Sequence, residues 1–148
     1  MNLLSRRSLL AIAAVVDVAL HSSPEPVHAM ALAARLKLPS RHLETLLKGL
    51  IHAEILKGVR GPRSGYELAR ERRRIAIGEI VRTAMSQSTA DPEALSSILL
   101  ERLIDPAVRK AGETFLANLD SITVEQMCET AEKVRVLDDE RTAGNCAI

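Results

Sequence analysis

With 148 residues, 47% of them apolar, and a formal net charge of +1, the chain has room for one domain, or for a small domain with an appended element. It is too apolar to be disordered throughout. Tyr66 and Phe115 are its only aromatic residues, which excludes stacking platforms for single-stranded nucleic acid and predicts a mainly α fold with a core of Leu, Ile, Val and Ala. The charge is divided, because residues 1–82 carry 14 basic and 7 acidic side chains whereas residues 83–148 carry 6 and 12; the front half is built to attract a polyanion and the rear half to face away from one.

Residues 5–20 resemble a twin-arginine export signal, and Ala29-Met30-Ala31 offers a small-x-small cleavage site. Asp17 inside the apolar stretch and the proline-bearing span before Val27 favour a first core helix instead, with Leu9, Ile12, Ala13, Val16, Ala19 and Leu20 as its stripe. Ser22 to Pro26 reads as a loop. A second helix is expected from Val27 to Leu36, with Met30, Ala33 and Ala34 inward, and Lys37-Leu38-Pro39 as the turn after it. Ser40 is the expected N-cap of a third helix. There Leu43, Leu46, Leu47, Leu50 and Ile51 keep i, i+3, i+4, i+7, i+8 spacing, which leaves Arg41, His42, Glu44, Thr45 and Lys48 on the opposite face.

Ile55 to Arg60 and Gly65 to Leu68 read as two strands joined by the basic turn Gly61-Pro62-Arg63-Ser64. A polar-faced helix beside a basic hairpin predicts a winged helix-turn-helix, a three-helix core plus a two-stranded wing, occupying residues 1–84. Arg72-Arg73-Arg74 reads as a solvated corner, followed by a fourth helix from Ile77 to about Met85. Residues 85–91 read as a linker and residues 92–136 as a helical dimerisation arm with a terminal helix. In the arm, Leu95, Ile98, Leu99, Leu103, Val108, Ala111, Phe115, Leu116 and Leu119 keep helical spacing across Asp105-Pro106. Pro106 there either kinks one helix or starts another with Asp105 as its cap. An apolar arm of this length needs a further surface, and a second copy is the simplest one. Thr123 to Gln126 has capping-box form and opens a last helix to about Val134. Residues 137–148 are expected to be a flexible tail.

Leu43 to Leu47, Val59 to Ala69, Ile75 to Ile80 and Phe115 to Thr123 together resemble the Rrf-two (Rrf2) family, bacterial winged-helix regulators of the IscR and NsrR kind. The likeness runs from Ser5 to about Glu132, and the Arg-Gly-Pro…Gly-Tyr wing is its most specific piece. It implies a homodimer that crosses two long helices and sets two winged domains on a palindromic operator in double-stranded DNA. Ser40, Arg41, His42 and Glu44 then take recognition-helix positions, and Arg60 takes that of an arginine entering the minor groove. The chemistry is consistent with this, since Arg pairs with guanine edges, Glu accepts from cytosine N4 and a narrow minor groove attracts Arg. The competing reading of Glu44 is a surface carboxylate paired with Lys48 at i+4.

Three departures from the family pattern stand out. Cluster-binding members carry three cysteines between the fourth helix and the dimer helix; residues 84–105 contain none, and the last of those positions falls at Arg102. Iron–sulfur clusters require thiolates, so no cofactor is expected. Glu54 stands where glycine commonly closes the recognition helix, which predicts a different helix ending, and Ser64 stands where glycine is usual in the wing.

Of the two cysteines, Cys128 shares a stripe with Val124, Met127 and Ala131 and reads mainly as a small hydrophobe. A redox thiol is the minor reading, which Glu125, Glu129 and Glu132 oppose by raising its pKa. Cys146 lies in the tail, no CxxC spacing exists, and a reducing cytoplasm is the expected compartment. The four histidines are scattered, and no metal site is expected.

The function expected is a dimeric DNA-binding transcriptional regulator, a repressor by steric occupancy. A small effector or a partner protein remains open as its signal, and no membrane partner is expected. The alternatives are a helical protein-interaction module or an exported small helical protein. An enzyme is the weakest class, for want of a nucleophile–base pair, phosphate loop or paired carboxylates.

Overall fold

A computed structural model describes residues 3–87 and 98–145, with backbone alone for residue 100 and residues 136–145. Its elements are α1 (Arg6–His21), α2 (Ala29–Leu36), α3 (Ser40–His52), β1 (Leu56–Val59), β2 (Gly65–Leu68), α4 (Ile77–Ser86), α5 (Asp105–Asp120) and α6 (Val124–Asn145), with a 3₁₀ turn over Arg72–Arg74 and a π-helical stretch over Leu100–Ile104.

Ser5 starts α1 by accepting a hydrogen bond from the Ser8 amide at 3.1 Å, one of the orphan donors of a helix start. α1 is the central helix and packs against α2, α3, α4, α6 and β2. Its innermost residues are Ser8, Ala11, Ala14, Val15 and Val18, not the stripe expected from periodicity; Ile12, Val16, Ala19 and Leu20 are half-buried flanks and Leu9 is exposed. The segment from Leu9 to Val16 is apolar all round, so its pattern leaves the phase open. Packing decided it, since the neighbouring helices cover the side that carries Ala11, Ala14, Val15 and Val18.

α2 shows a similar rotation. Leu32 and Ala33 are buried, whereas Met30 is 82% exposed and Ala34 points to solvent. Val27, expected to be helical, instead exchanges two backbone hydrogen bonds of 2.9 Å with Tyr66. It thereby lies along β2 on the side away from β1. Lys37 closes α2 in the left-handed region (φ 53), with Leu38 N donating to Ala33 O at 3.0 Å and Lys37 N to Ala34 O at 3.3 Å. This paired closure satisfies carbonyls that a helix end leaves free.

α3 buries Leu43, Leu46, Leu47 and Leu50 as expected, with Ile51 at the rim. Its N-cap is Pro39, whose carbonyl accepts from Leu43 N at 3.2 Å, so Ser40 is the first helical residue rather than the cap. Proline supplies the carbonyl at the extended backbone angles a cap needs, and its missing N–H costs nothing there. The far end closes in the same way as α2. Ile55 N donates to Leu50 O at 3.0 Å, Glu54 N to Ile51 O at 2.9 Å, and Glu54 itself is left-handed (φ 58). The helix therefore ends as if Glu54 were glycine, contrary to the expectation. Ile55 and Leu50 are both buried and supply the apolar contact that accompanies such a closure.

β1 and β2 pair antiparallel in the register Leu56↔Leu68, Lys57↔Glu67, Gly58↔Tyr66, Val59↔Gly65. Arg60, expected at the strand end, lies just beyond it, where the turn begins. Gly61 takes φ 113, whereas Ser64 is not among the positive-φ residues, so serine costs the wing nothing there. Gly65 is needed for another reason, because a Cβ would fall 2.6 Å from Val27 O.

α4 buries Ile77, Gly78, Ile80, Val81 and Ala84 and packs against α1, α3 and α5. The expected linker lies mostly outside the described residues, as does Leu95. Asp105 opens α5 without a cap hydrogen bond, and Pro106 stands in its first turn. The preceding Leu100–Ile104 is π-helical, a local widening that tolerates the amide Pro106 lacks. The capping box at Thr123 forms as expected: Thr123 N donates to Gln126 Oε1 at 3.0 Å and Gln126 N to Thr123 Oγ1 at 3.3 Å.

The arm is not simply appended to a finished head. Ile77 N donates to Ile122 O at 2.8 Å and Val124 N to Ile75 O at 2.9 Å, and Val124 and Cys128 belong to the one hydrophobic core with α1 and α4. α6 continues to Asn145, beyond the ending expected near Val134. From Asp138 to Thr142 the sequence is polar, so no apolar stripe marks the continuation, yet Arg, Leu, Glu and Ala are good helix formers.

Candidate nucleic-acid interface

α3 is held by its apolar stripe with the other face outward, and Ser40, Arg41, His42, Glu44, Thr45 and Lys48 are all exposed. Thr45 is tethered locally, its hydroxyl donating to Arg41 O at 3.3 Å. Glu44 and Lys48 form no ion pair, so both remain available to a partner. Beside α3 stands the wing, with Arg60 and Arg63 exposed. Val27 and the cross-strand pair Lys57–Glu67 (3.2 Å) steady its base, and Arg63 reaches Glu25 at 3.1 Å, which ties the wing turn to the loop before α2.

Ion pairing sorts the fourteen basic residues of the front half. Seven have carboxylate partners: Arg35 with Asp17, Lys57 with Glu67, Arg63 with Glu25, Arg70 with Glu79, Arg72 with Glu125, Arg73 with Glu71, and Arg82 with Asp120. The corner Arg72–Arg74 is therefore partly structural. Arg72 braces α6 rather than standing in solvent. The other seven, Arg6, Arg7, Lys37, Arg41, Lys48, Arg60 and Arg74, have no ion pair, and neither do Arg102, Arg109, Lys110, Lys133 and Arg135 among the described residues of the rear half. Arg41 and Lys48 lie on α3 and Arg60 on the wing, while Arg6, Arg7 and Lys37 surround His42 at the start of α3. The last three were missed in the sequence reading because they lie 5 to 36 residues from His42 along the chain, and no spacing rule joins them.

Cys128 is wholly buried, and burial pushes its thiol up; the Arg72 guanidinium beside it opposes that shift, while Glu132 and Glu125 reinforce it. It behaves as a core hydrophobe. Cys146 lies outside the described residues.

A polar recognition face, a helical turn bounded by Lys37, and a two-stranded wing define a winged helix-turn-helix protein. Residues 4–130 match the family described as Rrf2, iron-dependent transcriptional regulator. The chain belongs to the Rrf2 family. It is similar to the HTH-type transcriptional regulator IscR of Sodalis glossinidius, 36% identical over 85 residues, covering 57% of this chain and 51% of that protein; the match thus spans about half the length of that relative. The IscR of Xenorhabdus nematophila is 29% identical over 139 residues, covering 91% of this chain and 84% of its own. Among solved structures, T. potens IscR superposes with a TM-score of 0.70 at 31% identity, over 88% of this chain and 89% of that one. CymR, the global cysteine regulator of B. subtilis, shares the fold with a TM-score of 0.64 at 24% identity, over 88% and 98%.

The donor set does not fit the iron group that the family description implies. The two thiols of the chain are Cys128 and Cys146, and the first is sealed in the core. Arg102, at the position that the likeness assigns to the last cluster cysteine, is an exposed cation that cannot ligate iron. Among the described residues no group of three His, Cys, Asp or Glu side chains is placed to hold a metal ion.

Proposed function

We propose that this chain is a homodimeric, DNA-binding transcriptional regulator that represses by occupying a palindromic operator, and that it does so without an iron–sulfur cluster. The observation that carries this reading is the exposed face of α3 with the adjoining wing, where Arg41, Lys48 and Arg60 have no ion pair, while Arg35, Arg70, Arg72 and Arg82 elsewhere in the front half are held by carboxylates. Free cations on one face are the footprint of a polyanion. In this reading α3 lies in the major groove, with Ser40, Arg41, His42, Glu44, Thr45 and Lys48 toward bases and phosphates. Arg60 enters the minor groove and Arg63 stands by the backbone. Its compartment is the bacterial cytoplasm, where the operator is.

The dimer is supported by the open end of the arm. Ile98, Leu99, Leu103, Ile104 and Val108 are all exposed, a continuous apolar strip that a monomer would leave wet. A second copy running antiparallel covers it and sets two α3 helices on two half-sites.

Selection of bound duplexes from random DNA, followed by iron and absorbance assays on the same sample, tests the reading. The expected result is an inverted repeat bound by protein free of iron and of visible absorbance. Affinity should fall with salt at a log–log slope of about −0.9 per phosphate contacted. Absence of any enriched sequence would overturn it.

A further inference from the structure

Arg6, Arg7, Lys37 and His42 line a cavity of about 580 Å³ where the start of α1 meets the turn between α2 and α3. Leu10 and Leu46 give it an apolar floor, and no carboxylate lines it. Its volume lies within the range of small-molecule sites, which are mostly apolar with a few convergent polar groups. Arg6 and Lys37 have no ion pair. Arg7 donates from Nη2 to Gln87 Oε1 at 2.6 Å, and its Nε is the one buried side-chain nitrogen or oxygen without a hydrogen-bond partner among the described residues. A guanidinium donor left unmet inside a protein is costly, and the Arg7 side chain that carries it also lines the cavity, where an anion can pair with its charge.

We propose that this cavity binds a small organic anion, a carboxylate on a short apolar body. A duplex phosphate is the other source of negative charge, but it needs neither a concavity of this size nor a floor of leucines. The site is also wired to α3. Gln87, the partner of Arg7, lies against Gly49 so closely that a Cβ there would fall 0.9 Å from Gln87 Nε2. A ligand that draws the Arg7 guanidinium to itself competes with Gln87, which ends α4 and leans on the middle of α3. Its carboxylate also puts negative charge beside His42. Bound ligand therefore weakens duplex binding. This regulatory half rests on the DNA-binding reading; the binding half does not.

The test is calorimetric titration of the full chain with hexanoate and octanoate, with hexanol and inorganic phosphate for comparison, in parallel with the double variant Arg6→Gln/Lys37→Asn. Asn accepts the left-handed backbone at position 37, and Gln removes a cation from a helix N-terminus that disfavours it, so the variant should fold, which circular dichroism checks. The expected result is saturable binding of both carboxylates, tighter for octanoate, weakened at least about tenfold in the variant, with little binding of hexanol or phosphate. Octanoate should then lower affinity for the selected duplex about tenfold in the parent chain and leave the variant unaffected.

Failure of both carboxylates to saturate the parent, equal binding by the variant, or phosphate binding as tight as octanoate each overturns the proposal. So does a variant that loses duplex affinity with no carboxylate present and whose salt slope shrinks by about two; the cations would then serve the DNA backbone, and the regulator reading would stand. Carboxylate binding by a chain that binds no duplex would instead remove the regulator reading and leave the site.

Discussion

Arg60 and Glu44 are both exposed and free of ion pairs, so replacing either leaves the fold intact and isolates its role toward DNA. Arg60→Ala should weaken operator binding by about tenfold or more, as loss of a charge-assisted contact does, with an unchanged urea midpoint; unaltered DNA affinity would remove the wing from the interface. Glu44→Ala should relax base preference more than affinity, read by repeating the duplex selection. Glu54 makes the opposite kind of prediction. It holds a left-handed φ of 58 that costs a non-glycine residue roughly 1 kcal/mol, and Arg70 Nε anchors its carbonyl at 3.1 Å. Glu54→Gly should therefore stabilise the chain by a few tenths to about 1 kcal/mol, the gain being trimmed by the extra freedom of an unfolded glycine.

The junction of α4 with α5 joins the winged head to the arm. Gly78 lets the two helices approach so closely that a Cβ would fall 2.0 Å from Asp120 Oδ1 and 2.9 Å from Leu116 O. Gly78→Ala should cost about 1–3 kcal/mol, as overpacking does, and a lowered urea midpoint would show it. Arg82 grips Asp120 through both nitrogens, Nη1–Oδ1 at 2.6 Å and Nη2–Oδ2 at 2.8 Å. That hydrogen-bonded guanidinium holds the Asp120 carboxyl below its ordinary 3.8. Because the folded-state value is the lower one, the pair's contribution is complete above the ordinary value and is lost as pH falls through the depressed one. The pair is exposed and its contribution correspondingly small. Stability measured at falling pH should decline less steeply below about pH 4 in Arg82→Ala than in the parent; identical acid limbs would remove the pair from the account.

For the whole molecule, the open strip on the arm is where the proposed dimer would close. Leu103 is 64% exposed and Val108 likewise 64%, so in a lone chain Leu103→Glu would be nearly neutral. In a dimer it buries an unpaired charge, which is strongly destabilising. The variant should be monomeric by sedimentation at concentrations where the parent is dimeric, and should lose operator affinity by far more than a single contact is worth. A dimer undisturbed by Leu103→Glu would place the interface elsewhere.

The wing, the α3 stripe and the capping box at Thr123 were legible from spacing and turn chemistry, because each is a local pattern in which one face or one cap is chemically distinct. So was the burial of Cys128. What local pattern could not convey was the phase of α1 and α2, where apolar residues lie all round and the inner side depends on which neighbours arrive. It could not show that Glu54 would accept a glycine's backbone, a closure backed by the buried Ile55 and Leu50 and by Arg70, which lies 16 residues away and donates to the Glu54 carbonyl. Nor could it reveal which cations are free. Arg72 and Arg82 look like any other surface arginines until Glu125 and Asp120, distant along the chain, fold against them. Charge content is a property of the string of residues, whereas neutralisation depends on distance through space, and only packing sets that distance.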